Sequence, residues 1–193
     1  RLIHRLFQCG CLKFGEFTLA SGKSSPVYLD LRRLVSFPDL MDLAVEAYID
    51  RLVKVDYDTI AGVPYAALPA AAIASSKLQK PMVYARKEAK DHGTAQMVEG
   101  VFEPGQKAVM IEDVITSGGS ILQAAETLKA AGLEITDAIV LVDREQGGVK
   151  KMLEKGIRVH AVLKFSEILD LLKAGNFIDD ATYKTVTDYL SVN

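Results

Sequence analysis

The chain has 193 residues, 49% hydrophobic and 25% charged, with a net charge of −2 and two cysteines. That length fits one domain with a substantial core, and the near-neutral balance argues against nucleic acid as a partner. No apolar run approaches the roughly 20 residues that span a bilayer, and the opening Arg-Leu-Ile-His-Arg-Leu-Phe is too short and polar for a signal peptide. A cytoplasmic protein without a membrane partner is expected.

Apolar Leu2, Ile3, Leu6 and Phe7 suit an amphipathic helix within residues 1–13. Phe17-Thr-Leu-Ala and Val27-Tyr-Leu-Asp-Leu flank Ser21-Gly-Lys-Ser-Ser-Pro26 and read as two short strands joined by a turn. A helix is predicted from about Pro38 to Val53, with proline in its first turn and Leu40, Leu43, Ala44, Ala47 and Tyr48 on one face. The chain then alternates: strand 59–63, helix 66–78, strand 82–85, strand 107–111, helix 121–131 and strands 138–142 and 157–163. Helices over 165–173 and 179–190 close it. This alternation predicts an α/β fold, a central parallel sheet with helices on both faces, in one domain over residues 1–193. Cys9 and Cys11 lack the second pair or nearby histidine of a zinc site and read as free thiols.

Two segments carry chemistry. In Val109-Met-Ile-Glu-Asp-Val-Ile-Thr-Ser-Gly-Gly-Ser120, an apolar strand ends in Glu112 and Asp113, and a turn of small residues then opens a helix. The free N–H groups of such a turn can hold a phosphate. The adjacent carboxylates can accept hydrogen bonds from sugar hydroxyls. Neither a Walker A loop nor a Gly-x-Gly-x-x-Gly fingerprint is present. The second segment, Arg86-Lys-Glu-Ala-Lys-Asp-His-Gly-Thr94, gathers two lysines, an arginine and a histidine with no apolar face. Such a set suits a polyanion. His4 and His160 have no supporting constellation and read as structural.

The 109–120 segment resembles the phosphoribosyl-pyrophosphate (PRPP) signature of the type I phosphoribosyltransferases. Arg86–Thr94 resembles the mobile catalytic loop of the orotate phosphoribosyltransferases. Phe14-Gly-Glu-Phe-Thr-Leu-Ala-Ser-Gly22 and Leu141-Val-Asp-Arg-Glu-Gln-Gly-Gly148 are similar to further motifs of that family. Leu29-Asp-Leu-Arg and Gly62-Val-Pro-Tyr-Ala-Ala-Leu-Pro69 resemble its animal-type branch, the front part of UMP synthases.

The resemblance implies the type I fold with a small N-terminal hood (residues 1–37) on a core (38–193). It also implies transfer of ribose 5-phosphate from PRPP to N1 of orotate, in de novo pyrimidine biosynthesis. Thr116, Ser117, Gly118, Gly119 and Ser120 would then bind the 5′-phosphate, and Glu112 and Asp113 the ribose hydroxyls. Asp113 would also face the charge that develops on the ring. Arg86, Lys87, Lys90 and His92 would hold pyrophosphate, and Tyr65 would belong to the loop that receives it. Arg144, Tyr28, Lys23 and Thr116 would contact orotate. Lys87, Lys90, His92 and Asp113 are the implied catalytic set. Mg²⁺ would be the cofactor, carried by PRPP with no direct protein ligand. A homodimer sharing loop 86–94 is implied, as is an orotidylate decarboxylase domain fused outside this chain. One departure stands out: Ala20 occupies the position of a family lysine, so the alternative is an attenuated domain of the same fold that binds PRPP and orotate.

Overall fold

The computed structural model describes residues 1–18, 22, 24–86 and 97–191. Ala20, Lys23, Lys87, Lys90 and His92 therefore lie outside the described residues.

Helix α1 (Leu2–Gln8) leads into an antiparallel pair, β1 (Leu12–Thr18) and β2 (Ser24–Leu29), which forms a separate two-stranded sheet. A 3-10 turn over Leu31–Ser36 follows, then α2 (Pro38–Leu52), β3 (Thr59–Gly62), α3 (Leu68–Leu78) and β4 (Met82–Ala85). After them come β5 (Val98–Glu99), β6 (Lys107–Ile115), α4 (Gly119–Ala130), β7 (Glu134–Asp143), α5 (Gly148–Glu154), β8 (Arg158–Lys164), α6 (Phe165–Ala174) and α7 (Asp180–Ser191).

The main sheet runs β5-β4-β3-β6-β7-β8. Every neighbouring pair is parallel except β4 with β5. The sheet is therefore mostly parallel, with an antiparallel edge strand. Its apolar residues alternate between two cores, because successive strand side chains point to opposite faces. Ile60, Val109, Ile111, Ile139 and Leu141 pack with α1, α2, α3 and α6. Ala61, Ala108, Met110, Ala138 and Val140 pack with α4 and α5. Helices thus cover both faces, as the alternation predicts.

Several boundaries differ from the sequence expectation: β1 starts at Leu12 rather than Phe17, and β7 at Glu134 rather than Ala138. The strand expected to stop at Ile111 continues to Ile115, so Glu112 and Asp113 lie inside β6. Beyond Ile111 it keeps β7 as a partner, through Glu112↔Val140, Val114↔Val142 and Ile115↔Asp143. Its pairing with β3 ends at Gly62↔Ile111. The turn expected over 21–26 is shorter, because Ser24, Ser25 and Pro26 already belong to β2. Strand β5 and helix α5 have no expected counterpart: one is two residues long, and the other turns only twice between glycines.

Candidate active site

In mostly parallel sheets ligands bind outside the carboxyl ends of the strands. Here that edge opens into a cleft of about 550 Å³ lined by Arg32, Tyr65, Glu112, Asp113, Thr116 and Ser120, among others. Of the residues singled out by sequence, Glu112, Asp113, Thr116, Ser120 and Tyr65 therefore share one cavity. A smaller cavity of about 70 Å³ beside it is lined by Arg86 together with Pro64 and Ser120, which sets the first cation of the basic segment next to the phosphate turn.

The β6 end is held by its own backbone. A Glu112 carboxylate oxygen accepts from the N–H of Asp113 (2.9 Å), and an Asp113 oxygen accepts from the N–H of Val114 (2.8 Å). Each acid thereby keeps its side chain along the strand while Glu112 stays buried. From below, the Tyr48 hydroxyl of α2 donates to the Glu112 carbonyl at 2.7 Å. Full burial, with Asp113 and Glu112 nearby, pushes the Tyr48 phenol well above its ordinary value, so the hydroxyl keeps its proton and stays a donor.

The turn Thr116-Ser-Gly-Gly-Ser120 follows. Gly118 takes φ +78° and stands immediately before the first turn of α4. A side chain there would be strained, and its Cβ would sit 2.8 Å from Met152 Cε. Glycine is therefore required both by backbone conformation and by space. The first N–H groups of α4 lack helical partners, and Thr116 and Ser120 beside them line the cleft, an arrangement that can accommodate an anion.

The β7 end supplies a cation. The Arg144 N–H donates to the Ile115 carbonyl at 2.9 Å, which joins the two strand ends directly. Its guanidinium lies 5.2 Å from the centroid of the Phe165 ring, and its Nε is buried with no hydrogen-bond partner among the described residues. Burial pulls the guanidinium below its ordinary value, opposed by the nearby Tyr189 phenol. Neighbouring Asp143 is lifted by burial although it accepts the Glu145 N–H at 2.8 Å. Glu145, itself at φ +57°, accepts the N–H of Ser166 and so ties this segment to the start of α6. Arg144 does not line the 550 Å³ cleft. It sits one strand over, behind the junction with Ile115.

Arg86, where the basic segment begins, lies at the sheet edge beside Met97 and Glu99. The Arg86 N–H donates to the Met97 carbonyl at 2.8 Å, and the Arg86 guanidinium pairs with Glu99 at 3.0 Å. Tyr28 lies outside the cleft lining. Its ring sits 5.5 Å from that of Phe17, and its hydroxyl accepts from Arg32 at 3.2 Å. His4 stacks on Phe177 and His160 pairs with buried Asp137, both structural as expected. The two cysteines are free, and burial foremost pushes the Cys11 thiol up to about 11.

Two site residues carry no expected role. Arg32 lines the cleft while paired to Asp30 at 2.7 Å. It was visible in Leu-Asp-Leu-Arg, but nothing local assigned it a function. Tyr48 reads as one more apolar-face residue, because only the tertiary fold puts its hydroxyl under β6.

A parallel sheet with paired acids and an anion-binding turn at one strand end defines a nucleotide- or sugar-phosphate-handling α/β protein. Residues 39–161 match the model of the phosphoribosyl transferase domain family. Uridine 5′-monophosphate synthase of Bos taurus is 42% identical over 194 aligned positions, covering all of this chain and 40% of its own length. Orotate phosphoribosyltransferase of Sulfolobus acidocaldarius is 41% identical, covering 94% of this chain and 92% of its own. The solved UMP synthase of Leishmania donovani superposes with a TM-score of 0.90 at 38% identity, over 100% of this chain and 42% of that one. The chain belongs to the phosphoribosyl transferase family, within its orotate phosphoribosyltransferases. It spans about 40% of the length of the bovine relative.

Proposed function

We propose that the chain transfers the 5-phosphoribosyl group of PRPP to N1 of orotate, yielding orotidine 5′-monophosphate and pyrophosphate in pyrimidine biosynthesis. The observation that carries this reading is the junction at Ile115. It sets a sugar-phosphate grip on β6 against a half-buried cation, Arg144, whose buried Nε has no hydrogen-bond partner among the described residues. A buried donor left unpaired costs free energy that an anionic ligand would recover, and the orotate carboxylate is such an anion.

In this reading the bond from ribose C1 to the pyrophosphate oxygen breaks, and its electron pair leaves with pyrophosphate. The bond from C1 to orotate N1 forms, and the N1 proton passes to the departing pyrophosphate or to solvent. The N–H groups and hydroxyls of residues 116–120 hold the 5′-phosphate. Glu112 and Asp113 accept hydrogen bonds from the ribose hydroxyls, and Asp113 faces the positive charge growing on the ring. Arg86, with Lys87, Lys90 and His92, draws off the charge of pyrophosphate. Positioning supplies much of the rate, since orotate needs no strong base.

Mg²⁺ would be carried in by PRPP, and Glu112 and Asp113, beside the turn, would accept hydrogen bonds from its waters rather than ligate it directly. When bound, the ion would neutralise pyrophosphate charge. A homodimer sharing loop 86–94 and a cytoplasmic location belong to the same proposal. Among the described residues no helix is long and apolar enough to cross a membrane. The bovine and Leishmania relatives carry further chain beyond this domain, which supports a fused decarboxylase as a partner. The relatives named orotate phosphoribosyltransferase lend no support to an attenuated domain.

The test is to follow orotate absorbance with PRPP and Mg²⁺, with uracil and hypoxanthine as rival acceptors. Turnover confined to orotate and lost in Lys87→Ala is expected. A folded protein that turns over none of the three, or prefers hypoxanthine, would overturn the proposal.

A further inference from the structure

Gly147 and Gly148 are adjacent and opposite in character. Gly147 takes φ +84°, and a Cβ there would meet nothing within 4 Å. Gly148 needs no left-handed backbone, yet a Cβ on it would stand 2.3 Å from the Thr116 carbonyl oxygen and 2.7 Å from Ile115 Cγ1. The first glycine shapes the entry to α5. The second is bare because the phosphate turn lies against it.

Two more contacts join the same pair of segments. The Arg144 N–H meets the Ile115 carbonyl at 2.9 Å, and Met152 packs beneath Gly118, 2.8 Å from where its Cβ would be. Residues 144–152 therefore brace residues 115–118 at three points. We infer that Gly148 is a positioning residue for the phosphate turn: its missing side chain lets the segment that carries Arg144 seat the turn at the height where it grips the 5′-phosphate. The inference rests on the transferase reading above.

Which side would yield to a larger residue follows from burial. Gly148 and Met152 are buried, and α5 packs on β8. Arg144 and Glu145 are anchored on α6 through Phe165 and Ser166. Thr116, Ser117, Gly119 and Ser120 are exposed. A methyl at 148 must push on a carbonyl oxygen that no rotamer change can move aside, so the turn shifts and Arg144 stays.

The experiment compares Gly148→Ala with Gly147→Ala. In each, KM for PRPP is measured by turnover, and the affinities for ribose 5-phosphate and orotate by calorimetry. Gly148→Ala is expected to raise KM for PRPP at least tenfold and to weaken ribose 5-phosphate in parallel, with orotate affinity held within about twofold. Gly147→Ala, strained at φ +84° but touching nothing, is expected to lower the melting temperature while changing all three by less than about threefold. A Gly148→Ala protein that binds ribose 5-phosphate normally, or an equal loss in Gly147→Ala, overturns the inference. Should Gly148→Ala not fold, Met152→Ala decides. A severalfold rise in KM for PRPP with orotate affinity unchanged supports the brace, and an unchanged KM for PRPP overturns it. A wild-type protein without turnover would sink the transferase reading instead, leaving the ribose 5-phosphate comparison to judge the brace alone.

Discussion

The carboxyl ends of β6 and β7 lie side by side and hold their functional groups by different means. At β6 the supports are local: Glu112 and Asp113 each bond the next backbone N–H, and the turn that follows is exposed glycine and hydroxyl. At β7 they are distant: the Arg144 guanidinium lies 5.2 Å from the centroid of the Phe165 ring of α6, with Tyr189 of α7 nearby, and Glu145 ties into the start of α6. A phosphate can be gripped by backbone that any short turn supplies. A planar anion needs a side-chain cation kept dry and aimed, which takes packing from several elements.

The largest break in this comparison should come from Arg144→Ala. Loss of this half-buried cation is expected to cut kcat/KM for orotate on the order of a thousandfold, while ribose 5-phosphate affinity stays within about threefold. Arg144→Lys should recover only part of it, since an ammonium lacks the planar fork. Steady-state kinetics with both substrates varied would check this, and a comparable loss of ribose 5-phosphate binding would show that the two ends are not separable.

Gly118→Ala probes the other end. The positive φ and the contact with Met152 Cε predict roughly a tenfold to thirtyfold rise in KM for PRPP, at about 1–2 kcal/mol for the strained residue. Orotate affinity, read by calorimetry, should barely change. Tyr48→Phe is a smaller cut. It removes one buried hydrogen bond, about 1 kcal/mol, and should lower kcat threefold to tenfold by loosening Glu112 and Asp113. An unaltered kcat with a lowered melting temperature would make the hydroxyl purely a core contact.

The smallest effect belongs to the amino-terminal end of β7, away from both grips. There Asp137 is buried and accepts from Thr136, Arg158 and His160. Burial raises its carboxyl, but the three hydrogen bonds outweigh it and hold the group below the usual carboxylate range. A depressed carboxyl stabilises the fold fully above its ordinary value near pH 4, and loses that contribution as pH falls through the depressed one. Asp137→Asn should therefore melt about 2–4 °C lower at pH 7, a screened effect of about 1 kcal/mol. The gap to wild type should close in acid, with kcat unchanged throughout. A gap that persists well below pH 4 would place the cost in packing instead.

The β6 end was readable in one dimension because its logic is local. Strand, acids, two apolar residues, glycine turn and helix occupy consecutive positions, and their chemistry needs only that order. Helix α2 and strands β3 and β4 were legible for the same reason, with boundaries within a residue or two. The reach of β6 past Ile111 was not legible, since it depends on β7 continuing to pair where β3 stops. Strand β5 was also missed, because two residues carry no period, and only pairing with β4 makes them a strand.

By itself, then, the sequence determined the order of most strands and helices and the small-residue turn before α4, since each follows from neighbouring residues and their periodicity. The tertiary structure alone decided that Ile115 meets Arg144, that Tyr48 reaches Glu112, and that Gly148 must be bare beneath Thr116. Those contacts join residues 29 to 64 positions apart. They arise because parallel strands bring distant segments to one sheet edge, where close packing leaves room for a hydrogen bond but none for an added methyl group.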